Sequence, residues 1–448
     1  MDSNTTAVSD RSAGLAAVDL SSQTPTKGRW WLLFLISIMY LICYMDRANI
    51  SVAQGEIARE FGLSKTQMGL VFSAFAWAYA IGQIPAGWLG DKFGPKIILT
   101  SIMLWWAVTA MGTGLAFGLT SLFAARFLLG LGEAGAFPVA SRGMQPWFAQ
   151  KERGRIQGIT HFFSRFAVAV TPFVATVIMN RFGWRAIFWT FGSIGIVWAF
   201  AFFTIYKNKP EDSKHVNQAE LALIRGRNED GTIKPANLAA RPAIPWGRIF
   251  SSPNMWFIAI AYGCFFYGTY FFLTWYPTYL REYRHFGKDQ LATVAAIPLL
   301  IGMVGDVVGG TITDFLYHRT GRLKFSRRIV AAPAMLLSGL FIIPAATTTD
   351  PWTSVWFLAA SFFCLEMVIG PAWAVPMDVG GQYSGTVTGV MNMTGALGSS
   401  LTPLVFGSFI QRGEWVQPFF VTAGVMVVGT LIWTFLINPE RSVVEPRS

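Results

Sequence analysis

Twelve long apolar stretches constrain the fold of this 448-residue chain more than any other feature. Crossing the apolar core of a bilayer takes about 20 residues of helix, because that core is about 30 Å thick. A helix is suited to this environment because it hydrogen-bonds its own backbone. The sequence therefore predicts an all-α membrane protein with twelve transmembrane helices. We place the spans near residues 30–53, 67–89, 97–117, 120–147, 155–178, 184–206, 254–280, 290–314, 327–346, 352–375, 380–410 and 415–437.

The chain has too few charges for a surface that faces water. Only 13% of its residues are charged and 53% are hydrophobic, whereas a soluble domain has about 25% charged residues. This composition excludes a soluble enzyme, a nucleic-acid-binding protein and a secreted disulfide scaffold. The four histidines and three dispersed cysteines, without a phosphate-binding loop, predict no metal site, catalytic nucleophile or nucleotide site. We therefore expect a protein that is not an enzyme and has no cofactor.

One polar stretch divides the spans into two groups of six. Residues 207–253 form the longest polar segment and separate the sixth span from the seventh. The N-terminal residues are rich in Ser, Thr and Ala without an apolar core, which indicates a disordered tail rather than a cleaved signal peptide. The predicted units are a tail 1–28, a six-helix bundle 29–206, a linker 207–253, a second six-helix bundle 254–438 and a tail 439–448.

The distribution of Lys and Arg predicts how the chain crosses the membrane. Loops after even-numbered spans contain more than twice as many Lys and Arg residues as loops after odd-numbered spans. Basic loops remain on the cytoplasmic side. We therefore expect the linker and both termini to be cytoplasmic. The net charge of +11 then requires no partner beyond anionic lipid in the bilayer, and no nucleic acid.

Similar segments recur at corresponding positions of the two halves. The end of span 2 and the loop after it read Gly-Trp-Leu-Gly-Asp-Lys-Phe-Gly over residues 87–94, and span 8 ends in a degenerate copy. Glycine lets helix ends approach closely, and Asp can accept hydrogen bonds from backbone N–H groups at a helix N-terminus. We expect a cytoplasmic gating contact here, with an ordinary tight turn as the alternative. The candidate residues are Gly87, Asp91, Lys92, Gly94, Asp314 and Arg319.

Ionisable side chains inside membrane spans are functional candidates, because each costs at least about 2.5–3.5 kcal/mol at mid-bilayer. We expect Arg142 to extend to the membrane interface, Asp306 to contact the loop after span 8, and Glu366 to make an interhelical hydrogen bond. The ionisable residues inside the predicted spans are Asp46, Arg47, Arg126, Glu133, Arg142 and Arg165 in the first half, and Asp306 and Glu366 in the second.

Four of these charges suggest a coupling mechanism. Arg126 and Glu133 are two helical turns apart on one face of span 4, and Asp46 and Arg47 are neighbours that point about 100° apart on span 1. We expect each carboxylate to pair with an arginine when the site is empty. An anionic substrate would compete for the arginines, and the released carboxylates would take up protons. A purely structural charge network is the alternative.

The repeated segment resembles the signature loop of the major facilitator superfamily, whose fold is two pseudo-symmetric six-helix bundles. Residues 43–49, 72–85 and 126–138 are similar to its anion:cation symporter family, which includes bacterial galactonate, glucarate and hexuronate transporters. The resemblance implies proton-coupled uptake of an organic anion. It further implies that Asp46 and Glu133 carry protons and that two arginines bind the substrate carboxylate, Arg47 and Arg126.

The resemblance also implies contacts with sugar hydroxyls, from residues that match Tyr44, Tyr79, Trp373 and Asn392. Membrane packing is the alternative for Trp373, and an interhelical hydrogen bond is the alternative for Asn392. Gln83 is a weaker candidate. Span 5 lacks the glutamine of the galactonate pattern and has His161, Ser164 and Arg165 instead. The extra arginine suits a second carboxylate, as in an aldarate, or packs against helix ends.

We therefore expect a monomeric transporter in a bacterial inner membrane that imports a sugar acid, namely an aldonate, hexuronate or aldarate. At least one proton as the coupling ion would accompany each substrate, and the two bundles would alternate access to one central site. An uncoupled or exchange carrier for an aromatic or small dicarboxylic acid is one alternative. A membrane sensor that does not transport is another, and we disfavour it because we find no signalling domain in the sequence.

Overall fold

The computed structural model describes residues 23–228, 232–234 and 244–445, and confirms an all-α membrane fold there. Twelve helical segments in these residues are long and apolar enough to cross a bilayer. Predicted tail residues 1–22 and 446–448, and linker residues 229–231 and 235–243, lie outside the described residues. The spans, numbered 1–12, are Gly28–Phe61, Gln67–Phe93, Pro95–Gly114, Leu119–Met144, Gln150–Phe182, Trp184–Ile205, Pro253–Thr274, Thr293–Thr320, Leu323–Thr347, Pro351–Val379, Gly381–Ile410 and Gln417–Leu436.

Spans 4 and 10, which are six spans apart, are each broken into two helices. Span 4 consists of Leu119–Glu133 and Ala136–Met144, and span 10 consists of Pro351–Glu366 and Ile369–Val379. In both spans the first helix ends at a buried glutamate. The two breaks therefore place a carboxyl group at equivalent positions of the two halves, where irregular backbone is tolerated only inside the protein. Shorter helices outside the spans are Pro210–Asp212, Gln218–Arg225, Trp246–Ser251, Tyr276–Thr278 and Tyr279–Tyr283.

Spans 2 and 8 run further than predicted. Span 2 continues as a helix through Asp91, and span 8 continues through Asp314 for six more residues. Each helix stops only at a glycine with positive φ, Gly94 at +89° and Gly321 at +67°. Asp91 and Lys92 are therefore helical rather than loop residues, because nothing before Gly94 breaks the helix.

The two halves, spans 1–6 and spans 7–12, contact each other mainly through spans 2 and 11 and through spans 5 and 8. A methyl group added to Gly87 would overlap the backbone of Gly385, and one added to Gly158 would overlap the backbone of Asp306. Small residues thus allow these helices to pack backbone against backbone. Any motion that separates the halves must open these two pairs.

The linker packs against one end of the bundle, at which span 1 begins and span 6 ends. We call this the linker end. The carboxylate of Glu220, in helix Gln218–Arg225, accepts hydrogen bonds from the backbone N–H groups of Gly28 (2.9 Å) and Arg29 (3.0 Å). Because Glu220 is fully buried, these bonds hold the linker helix against the start of span 1.

Candidate functional site

Arg47 of span 1 and Glu133 of span 4 form a buried ion pair. Arg47 Nε lies 2.7 Å from Glu133 Oε2, and the thiol of Cys43 donates to the same oxygen at 3.3 Å. Glu133 is fully buried, and its Oε1 accepts no hydrogen bond from the residues that the structure describes. This carboxylate therefore depends on Arg47 for its counter-charge. Nothing in the sequence of span 1 identifies Cys43 as a partner of this carboxylate.

Asp46 does not pair with an arginine, contrary to the expectation from sequence. Its Oδ2 accepts a hydrogen bond from Trp106 Nε1 at 2.6 Å, and its Oδ1 accepts one from the Asn49 amide at 3.2 Å. The reason is geometric, since the carboxyl group points to span 3 whereas Arg126 reaches only the backbone oxygen of Asp46, at 3.5 Å. Trp106 was missed, although a buried indole N–H in a membrane span needs an acceptor.

Arg126 is a buried cation without an ion-pair partner in the described part of the chain. Only 2% of its surface is exposed, its Nε has no hydrogen-bond partner among the described residues, and its guanidinium lies 4.9 Å from the centre of the Phe75 ring. Burying an uncompensated charge is unfavourable. An anion that bound here would relieve that penalty.

Aromatic rings surround the guanidinium of Arg47. Its carbon atom Cζ lies 4.3 Å from the ring centre of Tyr79, 5.0 Å from that of Tyr44 and 5.4 Å from that of Phe137. The Arg47 side chain keeps 22% of its surface exposed, whereas its partner Glu133 keeps none. Arg47 thus joins a buried carboxylate to a group of aromatic rings that make cation–π contacts with it.

A polar contact at mid-membrane joins the two halves beside these rings. The Asn392 amide of span 11 donates to Tyr79 Oη at 3.1 Å and to Gln83 Oε1 at 2.9 Å. Gln83 is fully buried, and its Nε2 donates to no acceptor within the described residues. The structure thus brings three of the predicted hydroxyl-binding residues together. The hydrogen bonds of Asn392 are also the interhelical contact that was the alternative interpretation of this residue.

Trp373 is buried, and its N–H is already used. Trp373 Nε1 donates to Tyr262 Oη at 2.8 Å, and its ring lies 4.9 Å from that of His161 and 5.8 Å from that of Phe137. With 1% of its surface exposed, the indole packs between the halves. This arrangement favours the packing interpretation over a hydrogen bond to a sugar. Tyr262 was missed, because nothing in the sequence of span 7 distinguishes it from other aromatic residues.

Arg165 binds a carboxylate of the opposite half. Its Nη2 lies 2.9 Å and 2.8 Å from the two oxygens of Glu366, and both side chains are buried. Neither sequence interpretation of Arg165 anticipated this pair. Glu366 does make an interhelical contact, as expected. Asp306 was expected to contact the loop after span 8, which is wrong, because the helix continues from Asp306 to Thr320 before that loop and the Asp306 side chain is fully buried.

The other two candidates of span 5 face their own helix. His161 Nδ1 lies 2.8 Å from the backbone oxygen of Gln157, and Ser164 Oγ lies 3.5 Å from that of Thr160. Both side chains are buried. The ring of His161 lies beside those of Trp373 and Phe137, whereas Ser164 is hydrogen-bonded within its own helix. In the described residues, no group of three His, Cys, Asp or Glu side chains could hold a metal ion.

At the linker end, Asp91 bridges the halves. Its carboxylate accepts hydrogen bonds from the backbone N–H groups of Gly385 (3.1 Å) and Thr386 (2.7 Å) at the start of the long helix of span 11. Arg142 Nε lies 3.4 Å from Asp91 Oδ1. Arg142 was expected to extend to the membrane interface; in the structure it lies beside this carboxylate, and 18% of its side-chain surface is exposed. The amino group of Lys92 lies 4.9 Å from the centre of the Trp88 ring.

Asp314 makes the reciprocal contact from the second half. Its carboxylate accepts hydrogen bonds from the backbone N–H groups of Gly154 (3.0 Å) and Arg155 at the start of span 5. Its ion-pair partner is the buried Arg327, at 2.8 Å. The prediction of Arg319 as the basic residue of this contact is wrong. Arg319 is exposed, whereas Arg327 follows one helix later and points back into the interface.

Hydrogen bonds between the halves lie at mid-membrane and at the linker end. Besides the two aspartates, Arg153 donates to Asp378 at 2.8 Å and Arg327 donates to the backbone oxygen of Gln150 at 3.1 Å. Among the described residues, no hydrogen bond joins the halves at the opposite end. The structure is therefore closed at the linker end.

This geometry matches a known transporter fold. The family model described as Major Facilitator Superfamily matches residues 36–403. The chain belongs to the Major Facilitator Superfamily. The solved structure of the proton:xylose symporter XylE bound to 6-bromo-6-deoxy-D-glucose aligns with a TM-score of 0.70 and 14% identity, over 93% of this chain and 98% of that chain. At this identity the likeness shows the fold alone.

Curated relatives within the superfamily carry names of anion transporters. The probable sulfoacetate transporter SauU of Cupriavidus necator is 40% identical over 94% of this chain and 96% of its own length. The probable galactarate/D-glucarate transporter GudP of Escherichia coli is 33% identical over 89% and 90%, and the D-galactonate transporter of Escherichia coli is 30% identical over 95% and 99%. These relatives support the resemblance to anion symporters and identify the chain as a multi-pass membrane transporter.

Proposed function

We propose that this transporter imports an organic anion together with protons by alternating access to a central site. The observation that carries the proposal is Arg126, a buried cation without an ion-pair partner among the described residues, beside the ion pair of Arg47 and Glu133. An anion satisfies Arg126 and competes with Glu133 for Arg47. The site thus offers one position for a negative charge that the protein itself leaves unfilled.

Competition for Arg47 couples the anion to a proton. When the anion binds Arg47, Glu133 loses its counter-charge in a fully buried position. A buried carboxylate without a counter-charge takes up a proton, so that anion binding and protonation favour each other. Asp46 is the second proposed proton carrier. Its carboxyl group is held by neutral donors, Trp106 and Asn49, and so remains free of a permanent cation.

We propose a sugar acid as the substrate, because side chains that can hydrogen-bond to hydroxyl groups lie next to Arg47. Asn392, Gln83 and Tyr79 form a hydrogen-bonded group, and Tyr79 also contacts Arg47. Amide and phenol groups both donate and accept, as hydroxyl recognition requires. The names of the galactarate/D-glucarate and D-galactonate relatives point to the same class.

A short dianion with one sulfonate and one carboxylate is a second candidate. The relative at 40% identity is named for sulfoacetate transport. Arg47 and Arg126 present two cationic groups in one site, which suits a substrate with two negative ends. Sulfoacetate has no hydroxyl groups, so this candidate would not need the group around Asn392.

We further propose that the linker end faces the cytoplasm of a bacterium and that the protein acts as a monomer in the inner membrane. Basic loops at the linker end support this orientation. A cysteine introduced in place of Lys234, in the linker, tests this orientation. The natural residues Cys43, Cys264 and Cys364 are buried, so a membrane-impermeant maleimide should label Lys234→Cys only after the cells are opened. Labelling of Lys234→Cys in intact cells would show that the linker end does not face the cytoplasm.

The decisive experiment combines binding with pH-driven uptake. Purified protein is first screened by thermal shift with galactarate, galactonate, sulfoacetate, an aromatic acid and a small dicarboxylate, because a ligand that binds the folded state stabilises it. The best ligand is then offered to proteoliposomes with an inward proton gradient. We expect accumulation by the wild type and loss of accumulation in Asp46→Asn and Glu133→Gln.

Asp350→Asn is the control, since Asp350 is an exposed residue that only caps the N-terminus of span 10. Accumulation by both Asp46→Asn and Glu133→Gln at the wild-type level would contradict proton coupling through these residues. Stabilisation only by an aromatic acid or small dicarboxylate would replace the sugar-acid assignment.

A further inference from the structure

The second half contains a pair of buried carboxyl groups that the proposed mechanism does not use. Asp306 of span 8 is fully buried, and neither of its oxygens accepts a hydrogen bond from a donor in the described residues. Asp306 directly follows Gly305, and a methyl group added to Gly305 would lie 3.4 Å from Glu366 Cβ. The side chain of Glu366 lies against Gly302 and Gly305 of span 8, which precede Asp306 on the same helix.

One arginine pairs with Glu366, and none of the described residues forms an ion pair with Asp306. Arg165 gives both contacts of its Nη2 to Glu366, at 2.9 Å and 2.8 Å, and only 5% of its surface is exposed. Two ionised carboxylates at this site would leave one negative charge uncompensated in a fully buried position. Such a charge is far more costly than a neutral acid. A single proton removes it.

Within the described ranges of the chain, the surroundings bring no second cation to the pair. On span 5, His161 lies one turn before Arg165, and its Nδ1 is hydrogen-bonded to the backbone of its own helix. From span 1, Tyr44 lies beside Arg165, with 5.9 Å between ring centre and guanidinium. The buried cation of span 9, Arg327, is bound to Asp314 and Asp378 nearer the linker end.

We propose that Asp306 and Glu366 bind one proton between them, so that the second half carries a proton-binding site of its own. The protonated carboxyl group donates its hydrogen to the ionised one, and the ionised group pairs with Arg165. The cluster is then neutral, and every charge has a partner. The position of Glu366 supports the proposal, because it ends the first helix of span 10 as Glu133 ends that of span 4.

The site lies across the moving interface. Arg165 belongs to span 5, whereas Asp306 and Glu366 belong to the second half, and Gly158 of span 5 packs against the backbone of Asp306. When spans 5 and 8 separate at the linker end, water reaches the pair, and the cost of a second ionised carboxylate falls. The proton held in this conformation is then released to the linker end. This step rests on the proposed proton-coupled import.

Infrared spectroscopy of the full-length protein in lipid tests the shared proton without any substrate. We expect a C=O stretching band of a protonated carboxyl group near neutral pH that shifts in D₂O. Asp306→Asn should lose this band. Glu366→Gln should lose it too, because Asp306 would then ionise and pair with Arg165. Asp46→Asn should keep it. Retention of the band in Asp306→Asn or in Glu366→Gln would overturn the shared proton.

Proton stoichiometry tests the release. In proteoliposomes with galactarate as the probe, or sulfoacetate if galactarate is not taken up, the number of protons per anion should fall by about one in Asp306→Asn. An unchanged ratio would overturn the release. A wild type that transports these anions without protons would overturn both the proposed function and the release, while the infrared bands would still decide the shared proton. Thermal unfolding of each variant confirms that it is folded.

Discussion

Asp91 and Asp314 occupy corresponding positions at the ends of spans 2 and 8, and each binds the N-terminus of a helix in the opposite half. Asp91 accepts from the backbone of Gly385 and Thr386, and Asp314 accepts from the backbone of Gly154 and Arg155. The N-terminus of a helix carries a partial positive charge and free N–H donors. The two aspartates therefore close the linker end by the same physical contact, made once in each direction.

We predict that Asp91→Asn weakens this closure. An amide keeps the shape but has one acceptor oxygen instead of two and no negative charge. Hydrogen bonds to a charged group contribute about 1.5–3 kcal/mol each, so the balance should shift roughly tenfold or more towards the form that is open at the linker end. Hydrogen exchange at the amides of Gly385 and Thr386 measures this shift. Exchange as slow as in the wild type would contradict the prediction.

Asp350→Asn is the matched control for this experiment. Asp350 also binds a helix N-terminus, accepting from the Thr353 N–H at 2.7 Å, but it is exposed and its contact stays within one half. The substitution should leave exchange at the linker end unchanged. An equal effect of both variants would indicate a general loss of stability rather than an opened interface.

We predict that Gly158→Ala prevents full closure of spans 5 and 8. The added methyl group would overlap the backbone oxygen of Asp306, and backbone atoms cannot move aside as a flexible side chain can. Transport should fall strongly, while the variant remains folded. Gly112→Ala in span 3 is the control, because no atom lies within 4 Å of its added methyl group. Uptake by Gly158→Ala at the rate of Gly112→Ala would contradict this role.

We predict that Arg47→Lys weakens anion binding although the charge is kept. Lysine cannot keep the planar contact with the Tyr79 ring or the Nε contact with Glu133 while also offering a second donor to an anion. The ligand concentration for half-maximal thermal stabilisation should rise about 10-fold or more, as expected for losing a charged hydrogen bond. Arg185→Lys is the control, since its ion pair with Glu60 is partly exposed, with 34% and 42% of the two side-chain surfaces accessible. Equal affinities of the two variants would argue against Arg47 as an anion ligand.

We predict that Trp373→Phe lowers stability more than it lowers affinity. The variant keeps a ring against His161 and Phe137 but loses the hydrogen bond to Tyr262 Oη. Leaving one buried polar group unsatisfied costs about 1–3 kcal/mol. Tyr262→Phe should lower the melting temperature similarly, and the double variant should lower it little further. Loss of ligand binding in Trp373→Phe with an unchanged melting temperature would instead indicate a direct substrate contact.

Much of the architecture could be predicted from the order of residues alone. Runs of apolar side chains of bilayer length identify twelve spans, and the polar linker divides them into two halves. The motif around Asp91 and its copy at Asp314 identify a repeat. These features are local in sequence, so hydropathy and spacing are sufficient to find them. The predicted helix ends were less accurate than the number of spans, because spans 2 and 8 continue as helices until Gly94 and Gly321.

The pairing of charges was predicted only in part. Arg47 meets Glu133, in line with the expectation that a carboxylate and an arginine pair in the empty site. Asp46 instead meets Trp106 of span 3, because which face of span 1 points to span 3 depends on how the helices pack. A hydropathy pattern of spans that are apolar on every side does not define that face.

The sequence by itself therefore determined the membrane spans, the two halves and the residues able to carry charge inside the bilayer. Only the tertiary structure decided which of these charges meet. Arg165 and Glu366 are 201 residues apart, and they pair because spans 5 and 8 pack closely and span 10 breaks at Glu366. Along the chain a charged residue shows only that burying it is costly. Its partner follows from the packing of helices from different halves, which no local pattern specifies.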